Sequence, residues 1–484
     1  MANPLLWTRR RMGRKAEVTP GTAETITAAE VIRAKDPSIK INANAYERQP
    51  VGAGMEAMTP IPGGKTVTAS WSEEAKGSGT AGTEPANAPA LKAARFNQTD
   101  IAAHSNTFTL DNDGSNSALT AKMFMDGKYV TGRGIRGNIK FAAESGKQGE
   151  FSFDGGGIWV ADGDVSLPTG TGDDSTLPPL LQNAQMFVGE YHTVLEEAVD
   201  GTAQKLLMAG GVNGMLEKGF TQGATAQKCF GILVKLKKNG TPASETNGVW
   251  FEIQGDSIGD PDGSAITNGT SATLSTTKIA TTAAWYLFTF GSKGNRATLT
   301  NATAYHVVMK GDYTAADANN IEISADVVTG PNQNSQSYTA AAWGAIALNN
   351  LSAKIYVSSY ASADQKFAGM EFDAGVEHNL RPDPNSDQGY EFEGITGAKP
   401  VITLKPEEMT DANTDWYGMW DTAITLFFHC QLGSAAGNTI EWFGEKMKIS
   451  NIGDWEDSNG RVRRQIDLQF DSEQTEYGLS IRYT

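Results

Sequence analysis

The sequence predicts a mostly β protein built from two sheet-bearing units, and three observations carry that prediction. The first is composition: 53 Gly and only 20 % charged residues in 484, with much Ser, Thr, Ala and Asn, which is the usage of a chain with many strands and turns. The second is patterning. Apolar residues come in short alternating groups, as in KTVTASW, where Val67, Ala69 and Trp71 share one side and Thr66, Thr68 and Ser70 the other. The third is charge: residues 201–360 carry 11 Lys+Arg against 10 Asp+Glu, and the rest of the chain 29 against 46, so a near-neutral unit interrupts an acidic one. A chain of this length also exceeds a single core, since cores stop growing at about 250 to 300 residues.

Taken in order, the run Arg9, Arg10, Arg11, Arg14 and Lys15 reads as a solvated basic arm. GGKT at Gly63–Thr66 resembles the end of a phosphate loop, but Thr59 stands where the first glycine is required, so it reads as a hairpin turn feeding KTVTASW. PALKAARF, Pro89 to Phe96, suits a short amphipathic helix capping a sheet end. Gly132, Gly134 and Gly137 spell GxGxxG, yet the NIKFAAE that follows alternates like a strand where a dinucleotide site needs a helix, so the run reads as a glycine-rich β-turn. GEFSFDGGGIWV continues the strand set. Thr193 to Gly211 holds good helix formers interrupted by Gly201.

From 201 to 360 the runs GILVKLK, GVWFEIQ, AWYLFTF, AYHVVMK, NIEISADVV and SAKIYVSSY alternate with loops of Gly, Asn, Asp, Ser and Thr, the pattern of a separate β-sandwich. KPVITLKP, AITLFFHCQL, NTIEWFGEKMKISNI and VRRQIDLQFD then complete a sheet set begun before the insertion.

The chemistry is sparse. A net charge of −16 argues against general nucleic-acid binding. No apolar run approaches the roughly 20 residues that span a bilayer, and no signal-peptide pattern opens the chain, so the expectation is a soluble protein made in a cytoplasm without membrane insertion. Asp256, Asp260 and Asp262 lack the spacing of a calcium loop and suit a tight turn. His104, His192, His306, His378 and His429 show no metal-ligand spacing. Cys229 and Cys430 lie in apolar runs and read as buried free thiols. No nucleophile elbow and no paired acids stand out. The expectation is a non-enzymatic protein with no cofactor.

The flanks carry a resemblance. RKAEVTPGTAETITAAEVIRAKDPSIKINANAYERQPVG, KTVTASWSEEAKGSGTAGTEPANAPALKAARF, GEFSFDGGGIWVADGDVSLP, PPLLQNAQMFVG, FDAGVEHNLRPDPNSDQGYEFEGITGAKPVITLKPEE and SNGRVRRQIDLQFDSEQTEYGLSIRYT follow one another in the order found in the tail tube, or major tail, proteins of long-tailed bacteriophages. The similarity covers about residues 1–190 and 365–484. Family members of ordinary length pass almost directly between these two parts. Here a unit is inserted, which resembles the jelly-roll modules displayed on virions and cell surfaces.

What the resemblance implies is a structural virion protein in three segments: a tail tube part at 1–200, an inserted jelly-roll-like decoration unit at 201–360, and the second tube part at 361–484. Protomers would join into hexameric rings whose inner strands close a β-barrel lumen. Rings would stack through a long hairpin loop and the terminal arms, with residues 40–65, rich in Asn, Gly and Pro, as the candidate loop and Asn42, Asn44, Met55, Met58 and Lys65 as its candidate residues. The partners implied are further copies of the chain, the tape measure protein and phage DNA in the lumen, the tail terminator, and distal tail or baseplate proteins. Tyr313, Tyr338 and Trp343 are candidate contacts for host surface glycans. The other reading open to the sequence is a secreted or surface glycan-binding adhesin.

Overall fold

Alternation in the sequence becomes strands through most of the chain, and the protein is mostly β. The computed structural model describes residues 6, 9–48, 58–102, 104–110, 117–168, 176–182, 184, 186–191, 203–207, 215–242, 245–291, 295–313, 319–326, 335–339, 342–345, 350–351, 353–358, 366–410, 414–458, 460–470 and 478–484.

In the flanking unit, strands Lys35–Arg48, Met58–Glu74, Glu150–Asp164, Lys128–Glu144, Leu119–Met125 and Arg10–Ala16 lie side by side, each antiparallel to the next. Strand 128–144 serves two neighbours along one edge. Its first half pairs with 119–125, and Lys140–Glu144 pair with Phe367–Asp373. The ladder then runs on through Val401–Pro406 and Ile466–Phe470 to Ile440–Ile452. One core fills this unit. Trp442 is fully buried there, with the rings of Phe141, Phe372 and Phe151 centred 4.8, 5.0 and 6.1 Å away, and Val67, Ala69 and Trp71 face inward as their alternation predicts.

The insertion leaves and rejoins this unit at adjacent strands. Phe187–Tyr191 pairs with Leu426–Leu432 of the flank on one side and Ala353–Ser358 of the insertion on the other. Strand 353–358 pairs in turn with Gln227–Asn239, which carries Ala284–Thr289 and Asn320–Asp326. Facing these is a second sheet in the order 260–270, 249–257, 304–311, 215–221, 335–339, 342–345. Phe251, Ile253, Val307, Ile232 and Phe288 fill the space between the two, so the insertion is a β-sandwich with its own core. It is not detached. One sheet runs through both units, and Phe187, Phe230, Leu233, Trp285, Tyr356, Phe427 and Phe443 form a third apolar cluster at the seam.

Several local expectations are corrected. The basic run is no solvated arm: Arg10–Ala16 is a sheet strand, and Arg14, 2 % exposed, is taken inside because Glu73 meets its guanidinium with two bonds of 2.6 and 2.5 Å. The helix spans Ala88–Ala93, and Phe96 already begins the next strand. Within the supposed helix at 193–211, Ala203–Leu207 is a strand held by Asn320–Asp326, pairing having overridden propensity, and the remaining residues lie outside the described ones. The GxGxxG run is no turn either. It lies inside strand 128–144 at a bulge between Arg133 and Arg136, where Gly134 takes φ +62°.

Cys229 and Cys430 are free and buried, and burial pushes both thiols up, Cys229 to about 12. Ser257 and Asp260 flank the two-residue turn of a hairpin, where the Gly259 N–H donates to Asp256 Oδ1 at 3.1 Å. Among the described residues no helix is long and apolar enough to cross a membrane.

Candidate assembly site

Of the stretch expected as a hairpin loop, residues 40–48 and 58–65 are two paired strands that form an arm, and 49–57 lie outside the described residues. Met58–Glu74 pairs with Lys35–Arg48 from Ser72 to Met58, but only Thr66–Glu74 has a second partner, in Glu150–Ile158. Residues 58–65 and their partners at 43–48 therefore project beyond the sheet. Among the described residues the outer edge of 35–48 takes no strand. Pro60 and Pro62 are compatible with this, because the missing N–H groups fall where the second edge is open. The arm leaves apolar side chains in water, with Tyr46 61 % and Ile61 52 % exposed.

The sequence-picked residues fall at different places on it. Asn44 is exposed on the projecting part, and Asn42 Nδ2 donates to Thr68 Oγ1 at 2.9 Å across the hairpin. Met58 opens the returning strand, and Met55 lies outside the described residues. Lys65 belongs to the base of the arm: its ammonium sits 4.3 Å from the centre of the Trp159 ring and its N–H donates to Gln388 Oε1 at 2.8 Å. GGKT is thus strand and not turn. Glycine is needed there because a Cβ on Gly63 would meet the Tyr46 ring at 2.4 Å and one on Gly64 the Gln388 carbonyl at 2.1 Å.

Gln388 comes from a second hairpin, Val376–Pro382 and Tyr390–Ala398, which packs across strands 128–144 and 150–164 and braces the arm's base. Its Phe392 ring lies 4.9 Å from the Arg136 guanidinium, and its buried Glu393 meets His378 Nδ1 at 2.7 Å. That carboxylate raises the His378 proton affinity. Beneath it, the Gly134 N–H donates to Glu17 Oε1 at 2.7 Å, and Glu17 also accepts from the Gly21 N–H and the Thr120 hydroxyl. Burial pushes the Glu17 carboxyl up in spite of these bonds. The amide that a phosphate would seek is already taken by a carboxylate.

At the other end of the sheet lies a patch that sequence reasoning missed. Tyr417 and Trp420 of helix Trp416–Asp421 are 50 and 49 % exposed, and Trp455 and Val462, in the connection between 440–452 and 466–470, 68 and 50 %. Arg464 holds the patch together. Its buried guanidinium is 4.8 Å from the Tyr417 ring centre and 5.4 Å from that of Trp455, and it donates to Glu408 Oε1 at 2.7 Å. The signal was present in WYGMW: Trp416 and Met419 point inward while Tyr417 and Trp420 point out, so this helix is apolar on both faces.

The glycan candidates divide. Tyr313 is fully buried and its hydroxyl accepts the Ile321 N–H at 3.2 Å, so it belongs to the core of the insertion and no sugar reaches it. Tyr338 and Trp343 face each other across strands 335–339 and 342–345, half-buried, with ring centres 5.1 Å apart.

Two buried polar clusters complete the picture. In the insertion, His306 bridges Glu217 Oε2 and Asp256 Oδ1, each at 2.9 Å. Burial raises the Glu217 carboxyl; burial alone would lower His306, but the two carboxylates outweigh it and raise its proton affinity. At the seam, Glu441 meets His429 Nε2 at 2.9 Å and Arg482 at 3.4 Å. Burial works to raise Glu441, yet those partners hold it at about 2, while burial and the Arg482 charge press nearby His104 down to about 4. Lys354 of the insertion also reaches Glu445 of the flank at 3.0 Å. The sequence matches no protein-family model and no curated protein.

Proposed function

We propose that this chain is the tube-forming structural protein of a bacteriophage tail, non-enzymatic, whose copies join into hexameric rings and stack into the conduit for DNA ejection. The observation that carries the reading is the arm, a braced hairpin with exposed apolar residues, both of whose edges are open, among the described residues, where it reaches past its own sheet. An open edge of that length is an aggregation hazard unless another chain covers it. The ordered run of tail-tube-like segments in the flanks supports the same conclusion.

In this reading the inner strands of six protomers close a β-barrel lumen, which removes their edges. The acidic balance of the flanks suits a passage that lets DNA phosphates slide without sticking. The tape measure protein would fill the lumen before DNA, and the tail terminator and distal tail or baseplate proteins would cap its ends. The insertion, anchored on neighbouring strands, is displayed on the tail exterior as a jelly-roll-like module, with Tyr338 and Trp343 as its surface for host glycans.

The test is negative-stain electron microscopy of the purified chain before and after concentration. Hollow rings or tubes with regular external knobs are the expected result. A strictly monomeric protein that binds glycan arrays would overturn the reading in favour of an adhesin.

A further inference from the structure

Strand register fixes where the arm and the aromatic patch lie relative to each other. Glu74, at the end of its strand remote from the arm, pairs with Glu150, and Glu150 with Ala142. Ala142 pairs with Glu371, and at this same end Phe367 pairs with Pro406, Leu404 with Ile466, and Ile466 with Ile452. Ile452 and Ile466 are the two residues between which Trp455 and Val462 are carried. Along the strand, the rise from Ile61 to Glu74 is roughly 40 Å at about 3.3 Å per residue. The arm and the patch thus occupy opposite ends of one protomer, too far apart to meet within it.

We infer that the patch of Tyr417, Trp420, Trp455 and Val462 is the receptor for the arm of a second copy of this chain, which lays Tyr46 and Ile61 on it. This rests on the assembly reading above and adds to it the receiving surface. Both surfaces are exposed and apolar, and each is backed by rigid structure: the arm by the hairpin carrying Gln388 and Phe392, the patch by buried Arg464 clamped to Glu408. Exposed Trp and Tyr around a fixed arginine is the composition of interface hot spots. A contact between two different surfaces at opposite ends is head-to-tail and does not close on itself, so it repeats into a stack.

The test places cysteines at Tyr46→Cys and Trp455→Cys in the full chain, where Cys229 and Cys430 are buried and do not compete. Under mild oxidation of the assembled protein the doubly substituted chain should give a ladder of linked copies on a denaturing gel, while a mixture of the two single variants should stop at dimers. Independently, W420A/W455A should raise the concentration needed for assembly by at least about tenfold without lowering the monomer's melting temperature, and W420F/W455F should restore it. If wild-type protein assembles but no ladder forms and W420A/W455A assembles normally, this inference alone is overturned. If wild-type protein never assembles, the assembly reading falls and takes this one with it.

Discussion

The flanking unit and the insertion both enclose aromatic cores between strands, yet they treat their surfaces differently. The insertion completes itself: among its described residues Ile258 is the one large apolar side chain left exposed, at the tip of a hairpin. Among its described residues the flank leaves Tyr46 and Ile61 at one end and Tyr417, Trp420, Trp455 and Val462 at the other, besides Leu6, Val18, Ile41, Leu177 and Leu180. Both units pack interiors to similar effect, so the difference is not a failure of folding. On the proposed assembly, the flank is the unit that associates and the insertion the unit that is carried.

The largest effect that would sharpen this comparison is Trp442→Ala. It should cost about 3–5 kcal/mol in chemical denaturation, and because one sheet joins the units, the signals of both should shift in a single transition. An insertion that melted at its unchanged temperature would break the picture of a shared sheet. Phe427→Ala, at the seam, is expected to cost about 3 kcal/mol and to separate the calorimetric transition into two. Lys354→Met strands the buried Glu445 carboxylate, at about 2 kcal/mol; the double change K354M/E445Q should recover most of that, as read by denaturant midpoints.

Acidity should separate the insertion's polar cluster from the seam's by sign. The folded insertion holds the His306 proton more tightly than the unfolded chain, so that contribution is whole below the ordinary value of 6.5 and is lost as pH rises through the higher folded one. The seam behaves oppositely. His104, pressed to about 4, penalises the folded state as pH falls from 6.5 toward 4, and Glu441, held at about 2, withdraws its contribution as pH falls from 4.5 through 2. Melting temperatures of His306→Gln and His104→Asn across pH 3–9 check both slopes: the first should flatten the alkaline side and the second the acid side. Smallest of all, a thiol reagent should leave Cys229 and Cys430 unmodified in native protein and react with both in denaturant.

Much of the sheet was legible because alternation is local: KTVTASW, GILVKLK, AYHVVMK and KPVITLKP each became strands. What was not legible depends on partners distant in the chain. Arg14 looks solvated until Glu73 is placed beside it, and GGKT looks like a turn until Lys35–Arg48 pairs with its strand. Tyr313 and Tyr338 sit in similar Gly- and Asn-rich surroundings, yet one fills a core and the other lies half-buried on a strand one in from a sheet edge. The patch draws on residues from 417 to 464 that only strand register brings to one end.

The pairing of 187–191 with 353–358 gives the flank something like a socket. A polypeptide that departs from one strand and returns on its neighbour can be exchanged for any other whose termini stand about 5 Å apart, one strand spacing, without disturbing the flank's hydrogen-bond ladder. What such a graft must reproduce is the wall at the seam, where Phe230 and Tyr356 close over Phe427. A replacement bringing two aromatic residues to those positions would be accepted, and what the flank carries would become a matter of choice.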